Sequence, residues 1–161
     1  MPNVRNLKAP RNLIDTEAAY VAGFWDGEGT IGIYREKRRG NKSGVRFKAG
    51  FSVCQTKVEV LLEIQTMLGC GNLCSETNER LRKKDINAAD IFKLTFSSNE
   101  IRHLLPQLRP WLKLKQKQAD ILLDFLGKQK HRARQTPGFI EEVEELKDKI
   151  TILNKRGKQA V

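Results

Sequence analysis

Acidic residues are scarce in this chain of 161 residues: 19 Asp and Glu stand against 30 Lys and Arg, a net charge of +11. Such a balance argues against a basic partner and favours polyanions, nucleic acid first among them. Long hydrophobic runs are missing as well. No apolar segment approaches the roughly 18 to 20 residues of a membrane span, and the N-terminus lacks the apolar stretch of a secretory signal. A soluble, intracellular protein that is not secreted and has no membrane partner is expected. Cysteine is limited to Cys54, Cys70 and Cys74. That odd number, with no second Cys or His pair near Cys70 and Cys74, argues against a zinc site and for reduced, partly buried thiols. The two histidines, His103 and His131, fall on different elements and suit neither a metal pair nor a catalytic base.

What is present fits one globular domain: 39% apolar and 30% charged residues allow both a core and a solvated surface. The charge is segregated. Residues 35 to 48 hold seven basic residues against Glu36, and residues 109 to 134 hold eight against Asp120 and Asp124. Between Thr136 and Asn154 five acids outweigh Lys147 and Lys149, so that segment should pack away from phosphates.

Residues 1–13 carry two prolines, excess base and no period, and read as a basic arm that orders on a partner. Residues 14–154 form the domain, and 155–161 a basic tail. Asp15 or Thr16 can cap a first helix whose stretch Ala18 to Trp25 is apolar almost all round, implying burial on more than one side. Gly23 and Gly27 are four apart on one helical face, and each costs about 1 kcal/mol relative to Ala, so a closely approaching second helix is implied. From Ile31 to Lys37 and Val45 to Cys54 the period changes to two, a hairpin whose second strand alternates Val45, Phe47, Ala49, Phe51, Val53 with Arg46, Lys48, Gly50, Ser52, Cys54. Thr56 with Glu59 reads as a capping box for a helix stopped by Gly69.

A second strand pair is expected at Gly71 to Ser75 and Ile91 to Phe96, joined by a polar stretch with Arg80, Arg82, Lys83 and Lys84. Ser97 and Glu100 open another helix, disturbed by Pro106 and Pro110. Leu112 to Leu126 then reads as helix, Gly127 to Gln135 as a basic loop, and Pro137 to Asn154 as an amphipathic helix starting at Thr136. Trp25 and Trp111 read as core. The order is helix, two strands, helix, two strands, helices.

Asp26 and Glu28 end the first helix, where the dipole favours bases, so these acids need another reason to be there. A divalent cation supplies one; an ordinary acidic turn is the plain alternative. The stretch Ala22-Gly23-Phe24-Trp25-Asp26-Gly27-Glu28-Gly29-Thr30-Ile31 resembles the motif of the LAGLIDADG homing endonucleases. Phe51-Ser52-Val53-Cys54-Gln55 is similar to the second strand of that family, and Leu108 to Gln118 to the segment bearing its basic active-site residue.

This resemblance implies an α+β fold: an αββαββα core, a DNA-binding antiparallel β-sheet saddle and extra C-terminal helices. It also implies a homodimer, since only one motif is present and two motif helices must pair, with Tyr20, Gly23, Phe24 and Gly27 at the interface. By the same resemblance Glu28, Gln55 and Lys115 are catalytic, and Glu28 with the Gly27 carbonyl holds Mg²⁺, for which Mn²⁺ can substitute. Glu28 stands where the family most often has Asp. Tyr34, Arg38, Arg46, Lys48, Ser52, Arg82 and Lys93 are assigned to double-stranded DNA. The implied activity is metal-dependent double-strand cleavage of a long pseudo-palindromic site by an intron-encoded enzyme. Its setting is archaeal or bacterial cytoplasm, a chloroplast or a mitochondrion. Two other readings stand beside it: an RNA maturase of the same fold, and a β-sheet regulator that binds DNA without cutting.

Overall fold

The stretch Ala18 to Trp25 lies within a helix, α1 (Asp15–Glu28), in the computed structural model, which describes residues 9–40, 44–76, 89–130 and 137–155. Its N-cap is Ile14 rather than Asp15 or Thr16: the Glu17 carboxylate turns back and accepts from the Ile14 N–H at 3.2 Å. Ala18, Val21, Ala22 and Trp25 face the core, while Thr16, Tyr20, Gly23 and Gly27 line an exposed side. The second buried side implied by the composition is therefore an open face of the single chain.

Among the described residues, six further regular elements and then two more helices follow α1. The chain continues through β1 (Gly29–Lys37), β2 (Val45–Gln55), α2 (Val58–Leu68), β3 (Asn72–Glu76), β4 (Ile91–Thr95) and α3 (Ser98–Leu108). A 3-10 turn (Arg109–Trp111) leads into α4 (Gln116–Lys130) and α5 (Pro137–Asn154). The strands form one antiparallel sheet in the order β1-β2-β4-β3. Period two holds across the ladder. Ile31, Ile33, Phe47, Ala49, Phe51, Val53 and Leu94 are buried. On the alternate side Thr30, Tyr34, Arg46 and Lys48 are exposed and Gly50, Ser52 and Cys54 half-buried, because side chains alternate across a strand, while Gly32 is buried.

Trp25 stacks on Phe51 with centroids 4.3 Å apart and planes 11° apart, and Phe96 tilts against both at 5.8 and 5.5 Å. This aromatic cluster ties α1 to the sheet. Gly29 makes the join possible, since a β-carbon there would overlap the Trp25 indole. A second glycine is required at the end of α2. Gly69 has φ +72°, and its β-carbon would stand 2.8 Å from both the Ala9 carbonyl oxygen and Arg11 Cγ.

Those neighbours belong to the segment expected to order on a partner, of which residues 9–13 are fixed to the domain. Arg11 donates from its backbone N–H to the Leu68 carbonyl at 2.9 Å and from Nη1 to that of Met67 at 3.1 Å, capping α2. Gln107 accepts from the Leu13 N–H at 2.8 Å and donates to the Arg11 carbonyl at 3.2 Å. Long-range bonds of this kind are invisible to local composition.

Other boundaries move for local reasons. The N-cap of α2 is Lys57, with no side-chain bond, so the Thr56 capping box does not form. The Ser97 and Glu100 box does: Glu100 accepts from the Ser97 N–H at 2.7 Å, and Ser97 accepts from the Glu100 N–H at 3.4 Å. Helix α3 continues through Pro106, while α4 begins at Gln116 and runs past Gly127 to Lys130. Trp111 is 38% exposed and is not core. Phe139, Val143 and Ile150 bury one face of α5, and on its acidic side Glu144 pairs with Arg35 at 3.1 Å. The three cysteines are free: Cys70 is buried, Cys54 half-buried and Cys74 exposed. Burial, with the Glu100 charge, pushes the Cys70 thiol up to about 12, so it stays protonated near neutrality.

Candidate active site and nucleic-acid face

The two acids at the end of α1 have different fates. Asp26 turns toward the segment leading into α4, where its carboxylate accepts three backbone N–H bonds: Lys113 at 2.7 Å, Leu114 at 3.1 Å and Lys115 at 3.0 Å. It is thus an N-terminal cap supplied from a distant element, where a negative charge is favoured. Lys115 completes the lock in the opposite sense. Its Nζ donates to the Trp25 and Asp26 carbonyl oxygens at 2.6 and 2.7 Å, placing a cation on the C-terminal end of α1. A solvated lysine, the plain reading of a basic run, is ruled out.

Glu28 is left exposed on the last turn, and among the described residues no hydrogen bond or ion pair engages its carboxylate. Gln55 ends β2 at the same end of the sheet, because Gly29 is in register with Val53. By strand parity Gln55 lies on the helix side of the sheet, so α1, β2 and the start of α4 bring Glu28, Gln55 and Lys115 to one end of the domain. Of the three, Lys115 lines a cleft of about 540 Å³, together with Asp26, Gly27, Thr30, Gln118 and Asn154, among others; Glu28 and Gln55 are not part of its lining. Sequence reading missed Gln118, which is buried, and Asn154, whose Nδ2 donates to the Ile31 carbonyl at 2.8 Å and ties α5 to β1. Asn154 belongs to no local motif, and Gln118 closes the Leu108 to Gln118 segment, in which only Lys115 was singled out.

Among the described residues no group of three or more His, Cys, Asp or Glu side chains gathers to hold a metal. With Asp26 turned to backbone N–H groups, Glu28 and the Gly27 carbonyl are hard oxygen donors at this end of α1, of the chemistry that suits Mg²⁺.

Of the residues assigned to DNA, Tyr34, Arg46, Lys48, Ser52 and Lys93 share the outer face of the sheet. Thr30 pairs with Ser52, Tyr34 with Lys48 and Glu36 with Arg46, and Lys93 of β4 sits between Cys54 and Cys74. Arg38 is exposed just beyond β1. Arg82 lies outside the described residues. No helix among the described residues is long and apolar enough to cross a membrane.

A bare antiparallel four-stranded sheet beside a buried helix that ends in acids is the homing endonuclease fold. The family profile described as LAGLIDADG endonuclease matches residues 21–123, and the chain belongs to that family. It is 26% identical over 155 residues to the DNA endonuclease I-CvuI of Chlorella vulgaris, covering 94% of this chain and 89% of the relative. The structure of I-CvuI in complex with the I-CreI target, in 2 mM Mg with the DNA not cleaved, matches with a TM-score of 0.72 over 91% of this chain and 86% of that one. Two more distant structures share the fold. The archaeal intron-encoded I-Vdi141I complexed with DNA has TM-score 0.72 at 19% identity, covering 91% of this chain and 89% of its own. The meganuclease I-SmaMI bound to uncleaveable DNA has TM-score 0.71 at 17% identity, covering 88% of this chain but 45% of its own.

Proposed function

We propose that this protein is a sequence-specific homing endonuclease that makes metal-dependent double-strand breaks as a homodimer. The observation that carries the reading is the reciprocal lock of Asp26 and Lys115, which holds Glu28 as the uncommitted acid beside an open, basic sheet. The outer face of the sheet suits a major groove, which admits a β-ribbon, and its lysines and arginines suit phosphates and guanine edges.

Mg²⁺ bound by Glu28 and the Gly27 carbonyl would supply a Lewis acid for phosphodiester hydrolysis. Glu28 contributes the anionic donor. Lys115, held against α1 rather than free in solvent, contributes fixed positive charge beside the scissile phosphate, where preorganised charge costs no rearrangement. Gln55 can orient water through its amide. Cleavage of a site selected from a random duplex library, dependent on Mg²⁺, tests the whole reading. Selective binding without cleavage would return it to the maturase or regulator alternative.

The homodimer is supported by the face α1 leaves open. Tyr20 is 47% exposed and packs on Phe24 at 6.5 Å, and among the described residues nothing lies within 4 Å of a β-carbon built on Gly23 or Gly27. That this chain spans under half of I-SmaMI while sharing its fold fits one chain as half of a complete unit. Gly23→Val should therefore leave the protomer folded yet block close approach of a second helix. Sedimentation should show folded monomer, against dimer for the unmodified protein; an unmodified protein that cuts as a monomer would refute the pairing.

The electrostatic footprint yields a second expectation. Log affinity should fall linearly with log salt, with slope about −0.9 per phosphate neutralised, and Lys48→Ala should make that slope shallower by roughly one unit per contact. Glu142→Ala, on α5, should leave it unchanged. Equal slopes for the unmodified and Lys48→Ala proteins in anisotropy titrations would remove Lys48 from the interface.

A further inference from the structure

Two glycines face each other on the outer side of the sheet, Gly32 of β1 and Gly50 of β2. Glycine inside a strand weakens it and often marks a close approach, and here the approaching group is the Tyr34 ring. Tyr34 lies two residues beyond Gly32 on the same face, directly opposite Lys48 and diagonal to Gly50. A β-carbon on Gly50 would collide with Tyr34 Cε2 and stand 3.1 Å from Cζ, whereas one on Gly32 would only touch the hydroxyl oxygen at 3.4 Å. Gly32 is buried although it carries no side chain on an open face, and Tyr34 remains 48% exposed. The phenol therefore rests one side on bare backbone and turns the other outward.

The geometry points to Gly32 and Gly50 as positioning residues that seat Tyr34 as a flat apolar reader of thymine in the DNA target. The inference rests on the endonuclease reading and adds a base preference to it. Around the ring, Thr30, Ser52, Lys48 and Arg46 are polar or cationic, so Tyr34 is the apolar surface in that part of the outer face. In the major groove the apolar feature is the thymine C5-methyl, with no counterpart on the other bases. A ring already seated loses little rotamer freedom when it meets that methyl. A side chain at position 50 would lift the ring off its seat.

Binding-site selection from a random duplex library under non-cleaving conditions tests this with the unmodified, Tyr34→Ala and Gly50→Ala proteins. The unmodified protein should select thymine at the position where Tyr34→Ala loses preference, and Gly50→Ala should lose the same preference. Adding Gly50→Ala to Tyr34→Ala should change nothing more, because Gly50 acts through the ring. Replacing that thymine by deoxyuridine should weaken binding of the unmodified protein about fourfold, the worth of one buried methyl group, and leave Tyr34→Ala unaffected. If Gly50→Ala does not fold, Gly32→Leu should displace the ring from its hydroxyl end with the same loss, while Gly32→Ala keeps the preference.

In the free protein, ring-current shielding should move the Gly50 α-protons upfield, and Tyr34→Leu should abolish the shift. An unshifted Gly50, equal binding of thymine and deoxyuridine, or thymine preference retained by Gly50→Ala would each overturn the inference. An unmodified protein that selects no site would overturn the endonuclease reading itself, whereas one that selects a site without thymine there overturns the Tyr34 assignment alone.

Discussion

Glu28→Gln is expected to bind the selected site as a folded dimer and to cut it at least about a thousandfold more slowly in Mg²⁺, equivalent to roughly 4 kcal/mol of transition-state stabilisation. The substitution keeps the size of the side chain and removes the charge that would hold the cation. Fold and stability should be untouched, because the Glu28 side chain is exposed and unbonded among the described residues. Lys115→Met is expected to differ in kind. It removes the cation from the Trp25 and Asp26 carbonyls, so it should slow cleavage and also lower stability. Single-turnover cleavage with binding measured in parallel separates the two. A Glu28→Gln dimer that cuts at the full rate would show that this carboxylate does not bind the metal, and the acidic turn would be an ordinary one.

Asp26→Ala should give the larger loss of stability, about 2 to 3 kcal/mol, because three backbone N–H groups lose a charged acceptor at once. Asp26→Asn keeps one acceptor oxygen and should fall between. In denaturant titrations the midpoint should drop with little change in slope, since the same surface is exposed on unfolding. Cleavage should fall too, since the segment that carries Lys115 loses its anchor on α1. An Asp26→Ala protein as stable as the unmodified one would mean that the cap contributes nothing.

Asp26 and Glu28 look alike in sequence: two acids separated by one glycine at a helix end, both opposed by the dipole. The family resemblance singled out Glu28, but nothing local showed where the Asp26 carboxylate goes. Its three partners lie 87 to 89 residues away. The resemblance singled out Lys115 as well, but nothing local showed that its ammonium is held on two carbonyls of α1. The same blindness covers Arg11, Gln107 and Asn154, whose partners come from remote elements. Capping misread the start of α1 and α2 because a good cap residue is a preference that neighbouring contacts override, whereas the Ser97 box survived intact.

The sequence by itself determined what depends on short-range periodicity. Alternation in β2 set which side chains face the helices and which face out, and the run of small and apolar residues before Asp26 set the buried motif helix. The basic balance favoured a polyanionic partner. Only the tertiary structure decided which of two equivalent acids was free, that a lysine was held on a helix end, and that a tyrosine lay over two glycines. Each of these depends on the position of groups from separate elements to within an ångström or so. Hydrogen bonds and ring contacts are short-ranged, and only the packed sheet and helices bring such groups within reach of one another.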